Sequence, residues 1–329
     1  LAARAYWTVR PRFDVRVDAF SASNDDLELN ASGSYRSGGK GPGLVDLAGR
    51  IVRARAPAAH RYVPLVAGAN TRAWLRNALV AGEAADGSFR LRGDLWDFPF
   101  NDPASGEFRV AARVRNGILD YVPVQGRAER PNESRGASWP RIEGIDAELL
   151  FERQRMSITG QRGSIYGVQL GKVKVAIPDL GAREAHLLVS GEANGPIADM
   201  LRYVNASPVG GWLGDFLAGA QASGTGRLDL KLDIPLDNAR AAQVAGTLTF
   251  QNADVALGQD IPPFSRAAGR VEFTERSLAL TNVSAGFVGG QVRLDGSTAA
   301  DGAIAISAAG TATPQGVKRV VGHALVQRL

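Results

Sequence analysis

The sequence predicts a mainly β protein built from antiparallel strands that have one apolar face. Short stretches such as residues 108–115 (FRVAARVR) alternate between apolar and polar residues, and this period of two is typical of a strand with one buried face. Nearly every predicted strand is one-sided in this way, which favours an antiparallel sheet over a parallel sheet buried on both faces. The 39 glycines and an aromatic content of only 7% are consistent with many turns between short strands.

The composition excludes several classes of protein. A chain of 329 residues without cysteine forms no disulfides and lacks thiol catalysis and the usual structural zinc sites. The formal net charge of +5 is spread along the strands, so solvated strand faces are a better interpretation than nucleic-acid binding. No apolar run reaches the roughly eighteen residues of a membrane span. The start LAAR, without a methionine or a signal peptide, suggests a piece of a longer polypeptide.

The first part of the chain, residues 12–56, reads as strands. They enclose the loop Ser37–Gly43 (SGGKGPG), which resembles a phosphate-binding loop superficially. That motif needs a glycine five residues before its Gly-Lys pair and a serine or threonine after it, but Ser34 and Gly41 occupy these places. We therefore reject a phosphate-binding loop.

Helical spacing follows in residues 57–63 and 71–81. Trp74 and Ala78 form an i,i+4 pair, and Gly82 fits the position after a helix C-terminus. These features predict a pair of short helices after the first block of strands.

Strands return at residue 87. The dipeptide Asn116-Gly117 predicts a hairpin turn, and residues 125–138 predict an exposed loop. The stretch Trp139–Leu180 then shows the alternation most clearly, since each of its short strands has one apolar and one charged edge.

The second half of the chain repeats this order. Residues 196–204 and 208–218 have helical spacing, strands follow between residues 227 and 306, and Pro314 begins a last helical segment.

Sequence correspondences support an internal repeat. Trp74 corresponds to Trp212, and residues 140–169 align without a gap with residues 262–291. We therefore predict four segments. Residues 1–56 are the end of a preceding β-repeat, 57–195 and 196–313 are two units that each contain a helical pair and strands, and 314–329 begin a further repeat.

Several motifs resemble the central region of the YhdP family of AsmA-like proteins from Gram-negative bacteria. They are WPRIEGIDAELLFER at 139–153, RVRNGILDY at 113–121, LRGDLWDFPF at 91–100 and the pattern W-L-x-x-A-L-x-x-G at 74–82. Each motif is weak alone, but their order is specific, and the resemblance covers roughly residues 45–297.

The resemblance implies a long curved antiparallel β-sheet that forms an apolar groove (β-taco-like repeats), with short helical pairs between strand blocks. It implies a periplasmic protein that is anchored in the inner membrane by a part of the chain missing here. Such proteins are implicated in moving phospholipid toward the outer membrane and in the permeability barrier. The family offers no catalytic residues to transfer.

The histidines do not predict a catalytic or metal site. His60, His186 and His323 lie far apart and share no ligand spacing, so structural or surface roles are the better interpretation.

Two acidic groups also favour structural roles. Asp25, Asp26 and Glu28 form a cluster that could bind a cation, although a solvated turn is the better interpretation. The carboxylates of Glu143, Asp146 and Glu148 could be read as a glycosidase pair, but two of them have the spacing of wet strand positions. Neither a G-x-S-x-G elbow nor a complete dinucleotide loop is present. We expect no enzyme activity, no cofactor and no metal.

The candidate functional residues are the apolar members of the alternating strands. They line a groove or, in the alternative interpretation, form a dry sandwich core. The candidate groove lining is Phe89, Leu91, Phe108, Val110, Leu149, Phe151, Ile158, Val173, Val175, Leu228, Leu230, Leu232, Leu248, Phe250, Val271, Phe273, Leu278, Leu280, Val292 and Leu294. A second set is predicted to pack the helices onto the sheet or to gate the groove: Trp74, Leu75, Leu79, Trp212, Leu213 and Leu217.

The function depends on what covers the apolar face. Another sheet, the curvature of the same sheet or bound acyl chains could cover it, because a long uncovered strip would promote aggregation. The first hypothesis is a periplasmic segment that conducts phospholipid acyl chains, with phospholipids and other envelope proteins as partners and no nucleic acid. The alternative is a structural β-repeat protein of the envelope with a dry core and no lipid. A β-solenoid enzyme or carbohydrate binder would need a carboxylate cluster or an aromatic platform, and neither is convincing.

Overall fold

The computed structural model describes residues 1–63, 67–123, 138–258, 261–299 and 302–318. Seventeen strands form one sheet, which confirms the predicted mainly β, antiparallel fold. Each strand pairs antiparallel with its neighbours in chain order, and the two-residue β11 pairs with β13 beside β12. The strands are β1 (Ala2–Thr8), β2 (Asp14–Ser23), β3 (Leu27–Arg36), β4 (Leu44–Arg55), β5 (Leu79–Asp94), β6 (Gly106–Leu119), β7 (Ile142–Glu152), β8 (Arg155–Ile165), β9 (Val168–Ile177), β10 (His186–Pro196), β11 (Gln221–Ala222), β12 (Thr225–Pro235), β13 (Gln243–Ala256), β14 (Phe264–Thr274), β15 (Leu278–Phe287), β16 (Gly290–Thr298) and β17 (Ile304–Gly310).

The helices are short. Among the described residues, none is long and apolar enough to cross a membrane. Residues 314–318 are helical as predicted, whereas the rest of the predicted last segment lies outside the described residues. The α-helices are α1 (Gly68–Ala78), α2 (Ile197–Ala206) and α3 (Pro208–Trp212), and 3-10 helices cover Ala56–Arg61, Leu95–Asp97 and Ala239–Ala241.

The two long edges of the sheet differ in their connections. We call the edge that carries the β2–β3, β4–β5, β6–β7, β8–β9 and β10–β12 connections the helical rim, because α1, α2 and α3 all lie there. We call the opposite edge, which carries the β1–β2, β3–β4, β5–β6, β7–β8, β9–β10, β12–β13 and β14–β15 connections, the turn rim. A meander requires this arrangement, since every second connection returns to the same edge.

Bulges interrupt many strands, most often in their helical-rim half. Asn116, Asn252 and Arg266 have left-handed φ values of 50°, 56° and 49°, and the pairing register shifts next to each of them. A bulge bends its strand and increases the local twist, so repeated bulges near one edge curve the sheet there.

The backbone geometry follows the proposed repeat. The left-handed residues Gly144 and Tyr166 correspond in the sequence alignment to Arg266 and Val288, which are also left-handed. Six strands, β5 to β10, lie between α1 and α2. The boundaries of the repeat units stay a prediction.

The predicted hairpin at Asn116-Gly117 is wrong. Both residues lie inside β6, where Asn116 forms a bulge and its N–H donates to the Asp146 carboxylate over 3.0 Å. Asn-Gly favours left-handed φ values, and a bulge uses this preference as well as a turn does. Residues 125–137 of the predicted loop lie outside the described residues.

The predicted helix over 71–81 is displaced toward the N-terminus, and the one over 208–218 is too long. Helix α1 ends at Ala78 because the carbonyl of Ala78 accepts from the Asp120 N–H and Leu79 pairs with Leu119 in the sheet. Gly82 therefore lies within β5 and does not follow the helix. Helix α3 ends at Trp212, where a run of turns with a left-handed Gly214 follows.

Two glycines are each covered by a phenyl ring from the adjacent strand. A Cβ atom on Gly246 would lie 2.1 Å from Cζ of Phe273, and one on Gly49 would lie 2.3 Å from Cζ of Phe89. Both glycines therefore provide space for a ring that lies across the adjacent strand.

We expect Gly246→Ala to lower the free energy of unfolding by about 1–3 kcal/mol, because the added methyl group must displace the Phe273 ring. Gly171→Ala in β9 is the matched control, since nothing lies within 4 Å of its added Cβ. Urea unfolding of both variants checks this. Equal stabilities would contradict the close packing of the ring on Gly246.

Candidate functional site

Apolar residues form continuous rows across neighbouring strands. Cross-strand pairing links Leu149 to Ile158, Ile158 to Val175, and Val175 to Val189, and the row continues through Leu232 to Val244. Directly paired residues lie on the same face of a sheet. This face, which we call the groove face, is therefore apolar from strand to strand.

The pairing register places every predicted groove-lining residue on the groove face. A second row runs from Phe89 through Val110 to Phe151, and a third joins Leu228, Leu248, Val271 and Leu280. The remaining candidates share the face because they lie two residues from members of these rows or pair with them. Leu280 pairs with Gly296, and Leu294 and Val292 follow from Gly296 in steps of two residues.

The list of candidate groove-lining residues omits several residues of the same face. Leu47 pairs with Leu91, Met156 with Phe151, and Ile177 with Met156. Met156 and Ile177 follow the same alternation as Ile158 and Val175, whereas Gly49 interrupts the apolar pattern after Leu47. A bulge shifts the alternation by one residue, so counting every second residue assigns the residues after a bulge to the wrong face.

The groove face is only partly buried. Of the predicted lining residues only Val292 is buried, and the others retain intermediate exposure. The largest fully buried side chains of the described chain are Phe100 and Ser207. A dry sandwich of this size would instead bury many large aliphatic side chains.

The total surface agrees with this incomplete burial. The protein exposes 21253 Å², whereas a compact monomer of its mass exposes about 13,000 Å². The sheet therefore forms a single layer whose apolar face lacks a second sheet among the described residues.

Helix α2 runs along the helical rim over the ends of several strands. At its start, Ile197 and Met200 lie against Gly226 of β12, where an added Cβ would be 3.3 Å from atoms of both. At its end, the carbonyl of Ala206 accepts from the Ser138 N–H, just before β7, over 3.1 Å. The helix thus crosses from β12 back to β7 and closes this part of the helical rim.

An aromatic cluster joins the helices to the β6–β7 connection. Trp139 lies 5.9 Å from Tyr121, 6.3 Å from Tyr203 and 5.8 Å from Trp212, measured between ring centroids. The hydroxyl groups of Tyr121 and Tyr203 hydrogen-bond over 3.0 Å, and Trp74 of α1 donates its indole N–H to the Tyr121 carbonyl. One cluster therefore connects α1, α2 and α3.

The predicted helix-packing residues have different environments. Trp74 and Trp212 keep 39% and 73% of their surface exposed, so the second is mostly solvated despite its contact with Trp139. Leu79 lies in β5, while Leu213 and Leu217 follow α3. Leu75 is half-buried on α1.

The dipeptide Arg-Tyr occurs at residues 61–62 and again at residues 202–203, and each copy holds a helical segment against an earlier turn. Arg202 stacks on Tyr166 in the β8–β9 turn, with its guanidinium carbon 3.9 Å from the ring centroid. Arg61 instead pairs with Asp26 in the β2–β3 turn, and Tyr62 bonds Asn24 there. The same dipeptide thus clamps a helix to the helical rim through different partners.

The β5–β6 connection closes the turn rim locally. The ring of Phe98 lies 5.1 Å from Phe108 of the groove face, and Phe100 is fully buried. Asp94 accepts backbone N–H groups from Trp96 and Lys40, which hold the pKa of its carboxyl below the usual value. We call this connection, residues 95–105, the lip.

The acidic groups considered as active sites make structural contacts. Asp26 pairs with Arg55 and Arg61. Asp146 accepts from the Asn116 N–H and pairs with Arg162, which hold its pKa below the usual value. Glu148 pairs with Arg113 over 3.6 Å.

The histidines are structural or lie outside the described residues. His186 contacts Asp233, the His60 ring nitrogen contacts the Pro57 carbonyl, and His323 is not described. Within the described ranges, no group of His, Cys, Asp and Glu side chains is arranged to hold a metal ion.

A comparison of the sequence with family models gives one match. A family model described as "YhdP protein" matches residues 1–329, the whole sequence. Among curated proteins and solved structures, no match was found.

We expect Tyr121→Phe to lower the free energy of unfolding by about 1 kcal/mol, because it leaves the half-buried Tyr203 hydroxyl without its partner. The double variant Tyr121→Phe/Tyr203→Phe should lose less than the two single variants added together. A double-mutant cycle in urea measures this difference. Strict additivity would show that the hydroxyl contact contributes nothing.

The tyrosine pair Tyr121 and Tyr203 makes the free energy of unfolding decrease as the pH becomes alkaline. Burial raises the pKa of Tyr121 and of Tyr203 above the usual value of ~10, so the folded protein keeps protons that the unfolded chain releases. Their contribution is present below about pH 10 and is lost as the pH rises further. Phenolate absorbance should show that, in the folded protein, two of the six tyrosines ionise at a higher pH than a free tyrosine does. The double phenylalanine variant should lose stability less steeply.

Proposed function

Because this chain belongs to the YhdP family, we propose that it binds phospholipid acyl chains on its groove face and conducts them along the sheet toward the outer membrane. The protein works in the periplasm, is held at the inner membrane and supports the permeability barrier. Phospholipids are its ligands, and other envelope proteins are its partners.

One observation carries this proposal: the groove face is continuous, apolar and incompletely buried. Rows of apolar side chains pass from strand to strand without a second sheet covering them in the described part of the chain. An acyl chain laid on this face would complete its burial. Each buried methylene contributes about 0.8 kcal/mol, and this contribution does not depend on position along the face. Nonspecific burial therefore allows a lipid to move from one strand to the next.

The chemistry required is binding without reaction. Many polar groups at the edges of the groove face are engaged in ion pairs, turn hydrogen bonds and the tyrosine pair, and the face itself is aliphatic and aromatic. In this proposal the protein has no chemical step and needs no cofactor.

The dry-core alternative has less support. A scaffold with a packed interior needs facing side chains that bury each other completely at a sheet separation of about 10 Å. The intermediate exposure of Leu149, Ile158 and Val175 favours a groove that receives a ligand.

Purified protein should retain phospholipid, and a charged side chain on the groove face should reduce the amount of phospholipid retained. We expect Ile158→Glu to lower it several-fold, because the carboxylate cannot enter an apolar layer without a large desolvation cost. Thr159→Glu is the matched control, since the adjacent residue lies on the opposite face and is exposed. Native mass spectrometry with lipid extraction gives the measurement.

A photo-crosslinking amino acid tests the same face without adding charge. At Leu230 it should react with copurified or added phospholipid, and at the neighbouring Lys231 it should not. Absence of lipid from the wild-type protein, together with no crosslink at Leu230, would overturn the proposal.

A further inference from the structure

Arginines without partners follow the turn rim. Arg10 and Arg12 lie in the β1–β2 connection, Arg155 begins β8, Arg183 lies in the β9–β10 connection, and Arg240 lies in the β12–β13 connection. All five are exposed, and among the described residues none forms an ion pair or a side-chain hydrogen bond. The turn rim thus presents free guanidinium groups at three successive hairpins, β7–β8, β9–β10 and β12–β13, and separately at β1–β2. Successive hairpins lie about 10 Å apart along a sheet edge.

Arginines of the helical rim are mostly engaged. Arg61 pairs with Asp26, Arg141 with Asp120, and Arg162 with Asp146. Arg53 donates to the carbonyls of Asn24 and Asp25, and Arg202 stacks on Tyr166. On the turn rim Arg36 pairs with Asp14 and Arg276 with Glu275, and among the described residues of the helical rim Arg266 is free. The larger share of free arginines is nevertheless on the turn rim, so the two rims differ in the availability of positive charge.

Carboxylates of the turn rim mainly hold the turns. Asp102 accepts from the Ala104 N–H, Asp179 from the Gly181 N–H, and Glu275 from the Val244 N–H. Glu184 and Asp237 stand without an ion pair beside Arg183 and Arg240, so the rim presents free groups of both signs.

The rims also differ in access to the groove face. Helix α2 and the aromatic cluster close much of the helical rim, with Ile197 buried and Tyr203 half-buried. On the turn rim, the lip is the one connection among the described residues that has a ring contact with the groove face, that of Phe98 with Phe108. The remaining described hairpins are short.

From this asymmetry we propose that the turn rim is the head-group side of the groove. There Arg155, Arg183, Arg240 and the other free arginines of this rim bind the phosphate groups of phospholipids. This inference rests on the proposed function. The acyl chains lie on the groove face, and the phosphates pass from one hairpin arginine to the next. Guanidinium groups suit this role because they form charge-assisted hydrogen bonds with phosphate oxygens. Because the sites are exposed, each bond is weak, so a head group can leave it.

The test compares two alkyl probes that differ in the head group. Dodecylphosphocholine carries a phosphate, whereas dodecyl maltoside carries an uncharged sugar. We expect the triple variant Arg155→Gln/Arg183→Gln/Arg240→Gln to bind dodecylphosphocholine about tenfold more weakly and dodecyl maltoside unchanged. The loss should become smaller at high salt, because salt screens exposed charges.

A control variant removes the same charge elsewhere. The variant Arg50→Gln/Lys174→Gln/Lys231→Gln changes three exposed residues in the middle of the face opposite the groove face. It should bind both probes like the wild type. Equal losses in both triple variants would show a general charge effect and overturn the proposal.

Head-group crosslinking locates the phosphate directly. A phospholipid with a photoreactive head group should label the turn-rim hairpins of the wild-type protein, and one with a photoreactive acyl chain should label the groove face. Head-group labels on the helical rim with acyl labels on the groove face would overturn this inference and leave the proposed function intact. Absence of acyl labels would overturn both.

Discussion

A single-layer sheet with one apolar face is the constraint on which the rest of the molecule depends. Side chains alternate strictly between the two faces, so rows such as Leu149, Ile158 and Val175 collect apolar surface on one side across the whole meander. Without a second layer, this surface stays partly exposed. The bulges curve this face, the helices cover one of its edges, and the proposed ligand would bury the apolar surface that remains exposed.

Curvature and closure concentrate on one edge. Bulges at residues such as Asn116 and Asn252 lie near the helical rim, and α2 runs across strand ends at the same edge. The aromatic cluster around Trp139 then ties α1, α2 and α3 together, although six strands separate α1 from α2 in the chain. A sheet that is bent and covered along one edge and open along the other has a direction across its strands. An amphiphile on such a surface has a defined orientation.

The asymmetry of charge follows the asymmetry of structure. Along the helical rim, arginines such as Arg61 and Arg162 hold turns and helices in place, so their charges are neutralised locally. Along the turn rim fewer arginines are paired, as Arg36 is with Asp14, and carboxylates such as Asp179 and Glu275 accept hydrogen bonds from backbone N–H groups. Free arginines remain there because the local structure does not use them. Composition alone, with a net charge of +5, contains no trace of this distribution.

The sequence by itself determined the mainly β class, the one-sided strands and the places of the helical segments, because alternation and helical spacing are local properties. It also placed apolar residues on one shared face wherever strands are regular. Tertiary structure decided the rest. Asn116-Gly117 became a bulge and not a hairpin because Asp146 of the next strand accepts its N–H, and α1 ends early because Leu79 pairs with Leu119. Contacts between residues far apart in the chain decide which edge carries the helices and which arginines stay free. They also bring Tyr121 to Tyr203. A periodic pattern carries no information about such distant partners.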